Sequence, residues 1–299
     1  MSRTPSTRPW HPFVFEFALA TGVLVAVGLW YRLLGTAINT FTGPAGPTLL
    51  SGTVPFVALF LGGLLVGAAA YVRVRGVDVG LTLPARSDLD AVATAVVAPA
   101  ALVGLTTLVG SLTGVTHRDV TGMAVVGDPA FVPVVTLAAL SLAVRVPALV
   151  VVCQVLLQRG FERASGPVAA VGVTALVAAF AMVDTTGSVG AAPDPGKLVG
   201  LVLVALTLAL ADTVATRSDR AGGRYLAAAP LALVLGVVAL DAVVSVTTFA
   251  GALYAGTQLA TFGVAAAAYR RTGSLLSPAL AYASLFVTTR VVAVGAGLS

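Results

Sequence analysis

The chain has 299 residues, of which 58% are hydrophobic and 10% charged, and its mean hydropathy is +1.01. Soluble globular proteins carry about 25% charged residues, so this chain lacks the polar side chains that would cover a soluble protein's surface. The net charge of +5 does not indicate a nucleic-acid partner, because the basic residues lie in short segments between apolar runs rather than in one patch.

Nine apolar segments follow one another along the chain, and each is long enough to form a transmembrane helix. A hydrocarbon core of about 30 Å requires roughly 20 apolar residues per helix. We therefore predict an all-α, polytopic integral membrane protein with about nine spans. The predicted spans lie near residues 13–30, 48–71, 90–112, 131–157, 167–184, 198–215, 225–246, 248–268 and 275–296.

The distribution of Lys and Arg between these segments predicts the orientation of the chain. Twelve of the 17 basic residues lie in the N-terminal region and in every second connecting region after it, whereas three lie in the regions between. Cytoplasmic loops carry the excess of positive charge in membrane proteins. We therefore predict a multi-pass protein of the cell membrane, embedded in the lipid bilayer, with a cytoplasmic N-terminus and the C-terminus outside.

Five charged residues fall within the predicted spans or at their ends, where an ionised side chain is costly unless it is paired or functional. Counted at ~1.5 Å per residue, Arg145 and Asp241 lie about 21–24 Å from the cytoplasmic helix ends. On the same scale Asp184 and Arg290 lie about 27 Å deep, and Asp212 about 7 Å. Matched depths predict two ion pairs, Arg145 with Asp241 and Arg290 with Asp184. A proton or ion pathway, or a place for Asp184 in the outer loop, stays open as an alternative.

Residues that support metal or hydrolase chemistry are scarce. The chain has two histidines, His11 and His117, which lie outside the predicted spans, and two glutamates, Glu16 and Glu162. Cys153 is the single cysteine, so no intramolecular disulfide is expected. The sequence has no His-Glu-x-x-His motif and no Cys/His cluster. We therefore predict no cofactor and no metal ion.

Two segments resemble motifs of the CAAX-protease and bacteriocin-processing (CPBP) family of intramembrane proteases. The first runs from Gln154 to Gly160 and reads Gln-Val-Leu-Leu-Gln-Arg-Gly, which is similar to the family's Glu-Glu-x-x-x-Arg-Gly motif at the cytoplasmic end of a helix. The second runs from Tyr269 to Tyr282 and contains the family's Arg-Thr-Gly-Ser-Leu turn. A Val-Gly-Leu turn at 79–81 is similar as well. The resemblance covers about residues 145–295, and more weakly 75–295.

The resemblance implies a fold and a set of site positions. The fold would be a CAAX-protease-like membrane domain at residues 75–299, with two helices apparently inserted, preceded by two N-terminal helices at 1–74. The histidine of the family's second motif falls at Asp184 or, in an alternative match, at Asp241. The family-motif positions are occupied here by Gln154, Val155, Arg159, Asp184, Tyr282 and Phe286.

Most of these positions are substituted, so the resemblance supports the fold better than the activity. Glutamine does not accept a proton as a base, and Val155, Tyr282 and Phe286 do not replace a carboxylate, an imidazole and an amide. We therefore predict a noncatalytic relative that acts as a membrane scaffold or binding protein, with a membrane protein or peptide as its partner.

Two alternatives stay open. One is an active peptidase with an altered site, which would hold zinc and would use Asp212 as its base, because Asp212 lies at a similar depth to Gln154. The other is a small-solute or proton-coupled transporter that uses Asp212 and the deeper aspartates.

Overall fold

A computed structural model describes residues 11–43, 48–115, 131–184, 188–217 and 249–297, together with the isolated positions 233 and 236. Apart from an isolated bridge between Val183 and Val189, the elements of these segments are helices. The α-helices are α1 Pro12–Thr42, α2 Val54–Arg75, α3 Leu89–Thr113, α4 Phe131–Leu149, α5 Arg159–Ser165, α6 Pro167–Met182, α7 Pro195–Arg217, α8 Phe249–Thr272 and α9 Leu276–Gly297.

Six helical stretches of the described chain are long and apolar enough to cross a membrane. They are Pro12–Thr42, Ser51–Arg75, Arg86–Thr113, Ala138–Ser165, Pro195–Val214 and Leu276–Ala293. Helix α6 is apolar but has only 16 residues. The six stretches fit the predicted class of an all-α, multi-pass membrane protein. The predicted span at 225–246 lies outside the described residues except for positions 233 and 236.

Helix α8 has 24 residues but is not among the six, although the sequence predicts a span at 248–268. It packs against α3, α6 and α9. Its buried residues include Tyr254, Gln258, Phe262 and Tyr269. Since neighbouring helices cover these side chains, α8 carries hydroxyl and amide groups that a helix facing lipid would not tolerate. Low apolarity here reflects a central position in the bundle.

Helices α4 and α5 belong to one continuous run from Phe131 to Ser165, which we call the α4–α5 helix. Between them, Val150–Gln158 forms a π-helical stretch whose nine residues are all buried. Pro147 lies just before it and lacks the backbone N–H that an α-helix needs. π-Helical turns are rare and occur often at functional sites. The irregular stretch coincides with the first segment of the resemblance.

The two N-terminal helices pack on the rest of the bundle. Helix α1 contacts α7 and α5, and α2 contacts the π-helical stretch. The predicted division into residues 1–74 and 75–299 therefore crosses a packed interface, and it stays a prediction.

Candidate functional site

Gln154 and Tyr282, two of the positions that the resemblance names, meet inside the bundle. Gln154 Nε2 donates a hydrogen bond of 2.9 Å to the Tyr282 hydroxyl, and both side chains are 0% exposed. The Tyr282 ring also packs against Phe262, with 5.5 Å between the ring centroids. The fold thus joins two positions that lie 128 residues apart in the sequence.

Val155 and Phe286 are packing residues. Val155 is 3% exposed and apolar. Phe286 is half-buried, and its ring centroid lies 5.7 Å from the guanidinium carbon of Arg145. A cation over a ring face is attracted by the ring's negative centre. Neither side chain supplies an acid, a base or a metal ligand.

Arg159, which begins α5, is held by two partners. Its Nε donates to the Tyr269 hydroxyl at 3.2 Å, and its Nη1 lies 3.0 Å from Glu162 Oε2. The guanidinium also lies 4.9 Å from the centroid of the Tyr269 ring. The second Glu162 oxygen accepts from Gln158 Nε2 at 3.1 Å. Arg159 therefore joins α5 to the C-terminal end of α8, and Glu162 balances its charge.

Arg145 and Asp184 lie near one another towards the N-terminal end of α8. The charge of Arg145 interacts with those of Asp184 and Arg290, and Tyr254 is close to both Arg145 and Asp184. Asp184 Oδ1 accepts a hydrogen bond of 2.9 Å from the backbone N of Ser188. Asp184 is thus engaged by the loop that follows α6.

The two predicted ion pairs both stay predictions. Asp241, the predicted partner of Arg145, lies outside the described residues. Arg290 is exposed, and its predicted pair with Asp184 stays a prediction. Ion pairs that the described residues do form include Glu16–Arg75, Arg159–Glu162 and Asp90–Arg271.

Asp212 lies beside the start of α1. Its Oδ2 accepts a hydrogen bond of 2.9 Å from the backbone N of His11, the residue that precedes α1. Backbone donors at a helix start have no partner within the helix, and negative charge is favourable there. The sequence did not indicate this contact, because His11 and Asp212 lie 201 residues apart.

A buried ion pair that the sequence analysis did not predict joins α1 to α2. Glu16 is 8% exposed and pairs with Arg75. Arg163 of α5 donates from Nη2 to the Arg75 backbone O at 2.9 Å. A Cβ at Gly160 would lie 3.0 Å from Glu16 Oε2, so the glycine of the first motif leaves room for this carboxylate. One sequence signal could have found the pair: Glu16 begins the first predicted span, and Arg75 closely follows the second.

The two turns that carry the rest of the resemblance lie in contact. The Leu275 backbone N donates to Gly80 O at 3.0 Å. A Cβ at Gly80 would lie 1.4 Å from Gly273 O, and Gly273 has a φ of +62°. Glycine is therefore required at both positions, at one by close backbone approach and at the other by the left-handed conformation.

The chemistry available to this site follows from its groups. Within the described ranges, no group of three or more His, Cys, Asp or Glu side chains could hold a metal ion. Gln154 offers an amide, which does not accept a proton, and Tyr282 offers a phenol that here accepts a hydrogen bond from that amide.

Comparison with known proteins does not identify a family. The chain matches no family model, no curated protein and no solved structure. The resemblance to the CPBP family therefore rests on the motif residues alone, and the function has to be inferred from the geometry.

Proposed function

We propose that the chain is a noncatalytic, multi-pass membrane protein of CPBP type that acts as a membrane scaffold or binding protein. The hydrogen bond between Gln154 and Tyr282 carries this proposal. By the resemblance, these positions hold a glutamate and a histidine in an active protease. Here an amide and a phenol occupy them, and the amide nitrogen donates a hydrogen bond to the phenol oxygen in the interior. The amide does not accept a proton, and the phenol would first have to ionise, so the pair does not reproduce the glutamate base that the resemblance implies.

The proposal includes nine spans, with α6, α8 and a helix at 225–246 among them. It also places the N-terminus in the cytoplasm. The contacts Arg163–Arg75, Arg159–Tyr269 and Leu275–Gly80 bring the basic C-terminal ends of α2, α5 and α8 to one end of the bundle. Clustered positive charge favours that end as the cytoplasmic one.

Labelling of an added cysteine tests this orientation. In intact cells, a cysteine at Asp78 should be shielded from an impermeant thiol reagent, and one added after Ser299 should react. Native Cys153 is buried, so its background labelling is expected to be low. The reverse pattern would rule out the proposed topology.

A cleavage assay tests the absence of catalysis. The purified chain in liposomes would receive prenylated CAAX peptides and generic membrane peptides, with and without zinc. We expect no cleavage, because the substituted positions lack the acid–base groups that each contribute about 10²–10⁴ in rate. Cleavage that Asp212→Asn or Arg159→Ala abolishes would overturn the proposal.

A restored variant is the matched control for that assay. It carries Gln154→Glu, Val155→Glu, Asp184→His and Tyr282→His, and it returns the carboxylates and imidazoles that the resemblance implies. Cleavage gained by this variant, and absent from the parent, would support both the family resemblance and the loss of activity.

A further inference from the structure

The chain contains three glutamines, and all three are buried on two adjacent helices. Gln154 and Gln158 lie in the π-helical stretch and are 0% exposed, and Gln258 lies in α8 and is 2% exposed. For each one, the amide oxygen Oε1 is buried and accepts no hydrogen bond from the part of the chain that the structure describes. A buried carbonyl without a donor is unfavourable, and three of them on two helices form a pattern.

Contacts between the α4–α5 helix and α8 determine the relative heights of the glutamines. Gln158 Nε2 donates to Ala266 O, 108 residues further on, and Arg159 contacts Tyr269, 110 residues further on. The two helices are therefore parallel, and residues about 108 apart lie level with one another. On this register Gln258 lies roughly one turn from Gln154, and the three amides fall within about 12 Å along the bundle.

Exchanging the positions of the amide nitrogen and oxygen would not give every buried amide atom a partner. Gln154 Nε2 already donates to Tyr282 at 2.9 Å, and Gln158 Nε2 donates to Ala266 O at 3.0 Å. If either amide were turned over, an unpartnered buried acceptor would become an unpartnered buried donor. Each site therefore needs a hydrogen-bonding group from outside the described helices.

The charged residues around the three glutamines indicate what kind of molecule could bind between them. On one side, Arg145 and Asp184 lie near Tyr254, one helical turn before Gln258. On the other side, the Arg159–Glu162 pair lies beyond Gln158. The glutamine side chains contact hydroxyl and backbone groups, and Gln158 Nε2 also donates to the Glu162 carboxylate, whose charge Arg159 balances. An ion held there would lack a counter-charge, which makes its burial costly. Three carbonyl acceptors instead suit a neutral molecule that donates from O–H groups.

We propose that this interior is a binding site for small neutral O–H donors, occupied by water. Water molecules donate to Oε1 of Gln154, Gln158 and Gln258 and join them into one hydrogen-bonded network. Buried water commonly satisfies polar groups in this way, with about three hydrogen bonds per molecule. The inference goes beyond the proposed function, since a noncatalytic site could be dry or hydrated, and its test does not depend on cleavage.

Selective labelling tests the site in the unmodified protein. Because the chain has three glutamines, ¹⁵N-glutamine labelling gives side-chain amide signals from these residues alone. Water-edited solid-state NMR, in liposomes of deuterated lipid, measures how quickly polarisation passes from water protons to each amide. The reference is the methyl group of Met182, a side chain that is 1% exposed. We expect transfer to the three amides to be several-fold faster than to this methyl group, and equal rates would overturn the proposal.

A single substitution tests whether the three glutamines share the site. Gln258→Leu removes one acceptor and also assigns its signal. We expect slower water transfer to Gln154 and Gln158 in this variant. The matched control is Thr207→Val on α7, which should leave all three signals unchanged. Unchanged transfer to Gln154 and Gln158 in folded Gln258→Leu would contradict a shared site.

Discussion

Two regions of the bundle use different polar chemistry. At the end where α2 and α8 terminate, opposite charges and tight turns join the helices. In the interior, neutral amides and hydroxyls meet, as in the hydrogen bond of Gln154 with Tyr282. The contacts at the end are Glu16–Arg75, Arg159–Glu162, Asp90–Arg271 and Gly80–Leu275.

The difference follows the cost of burying charge. An ion pair that keeps some contact with water loses less hydration free energy than one at the centre of the bundle. A neutral hydrogen bond has a small desolvation cost at either depth. Charged contacts thus join the helices at this end, and Gln154 and Tyr282 in the interior contribute a neutral one. If this comparison is right, substitutions that disrupt the buried contacts at the end, at Gly80 and Glu16, should destabilise the fold more than Tyr282→Phe does.

Gly80→Ala should have the largest effect. Its Cβ would lie 1.4 Å from the backbone oxygen of Gly273, so one turn has to move and the Leu275–Gly80 hydrogen bond is lost. We expect a loss of about 3 kcal/mol in unfolding free energy, the upper end of overpacking costs. Thermal unfolding in detergent can be followed with a thiol-reactive fluorophore, because Cys153 is buried and is the single cysteine.

The control for this prediction is Gly67→Ala in α2. A Cβ at Gly67 would meet nothing within 4 Å, so this variant should unfold at or above the parent's temperature. If Gly80→Ala also unfolds with the parent, the two turns do not touch.

Glu16→Gln should have the next largest effect. It removes the charge that Arg75 pairs with, and the Arg75 side chain is 21% exposed. We expect a loss of about 2–3 kcal/mol, less than a fully buried pair would show, because Arg75 retains some access to solvent. In a double-mutant cycle, Glu16→Gln combined with Arg75→Met should cost less unfolding free energy than the sum of the two single changes.

The pair of Asp90 and Arg271 provides the comparison for Glu16 and Arg75. Its side chains are 60% and 57% exposed, and exposed pairs contribute at most about 1 kcal/mol. Asp90→Asn should therefore shift the unfolding temperature less than Glu16→Gln. Equal shifts would mean that burial does not distinguish the two pairs.

Much of the fold could be predicted from the sequence because hydrophobicity along a helix reports its surroundings. Six predicted spans coincide with helices that are long and apolar enough to cross a membrane. Helix α1 continues to Thr42, beyond the predicted end at residue 30, because helical hydrogen bonding does not stop where apolarity stops. Hydrophobicity is a poorer guide to helix α8, because a helix surrounded by other helices need not be apolar.

Contacts within the site were harder to predict, since one sequence gives depth along a helix but not which helices are neighbours. Matched depth suggested the pair of Asp184 and Arg290, but it did not indicate that Asp184 also lies near Arg145 and Tyr254 and accepts a hydrogen bond from Ser188. The same reasoning, applied to the ends of the first two spans, would have found Glu16 and Arg75. Consecutive spans joined by a short loop are usually neighbours, so depth is informative there.

Tyr282→Phe should have the smallest effect of the three tests. The change keeps the ring against Phe262 and removes the hydroxyl that accepts from Gln154 Nε2, which leaves a buried donor without its partner. A lost partner of this kind costs about 1–2 kcal/mol. Adding Gln154→Leu removes that donor as well, so the double variant should unfold closer to the parent than the sum of the single changes. Thr207→Val, which removes a hydroxyl that bonds to backbone carbonyls of its own helix, is the control and should leave the unfolding temperature nearly unchanged. Strict additivity of Gln154→Leu and Tyr282→Phe would mean that the two side chains do not interact, and the proposed noncatalytic site would then lose the observation on which it rests.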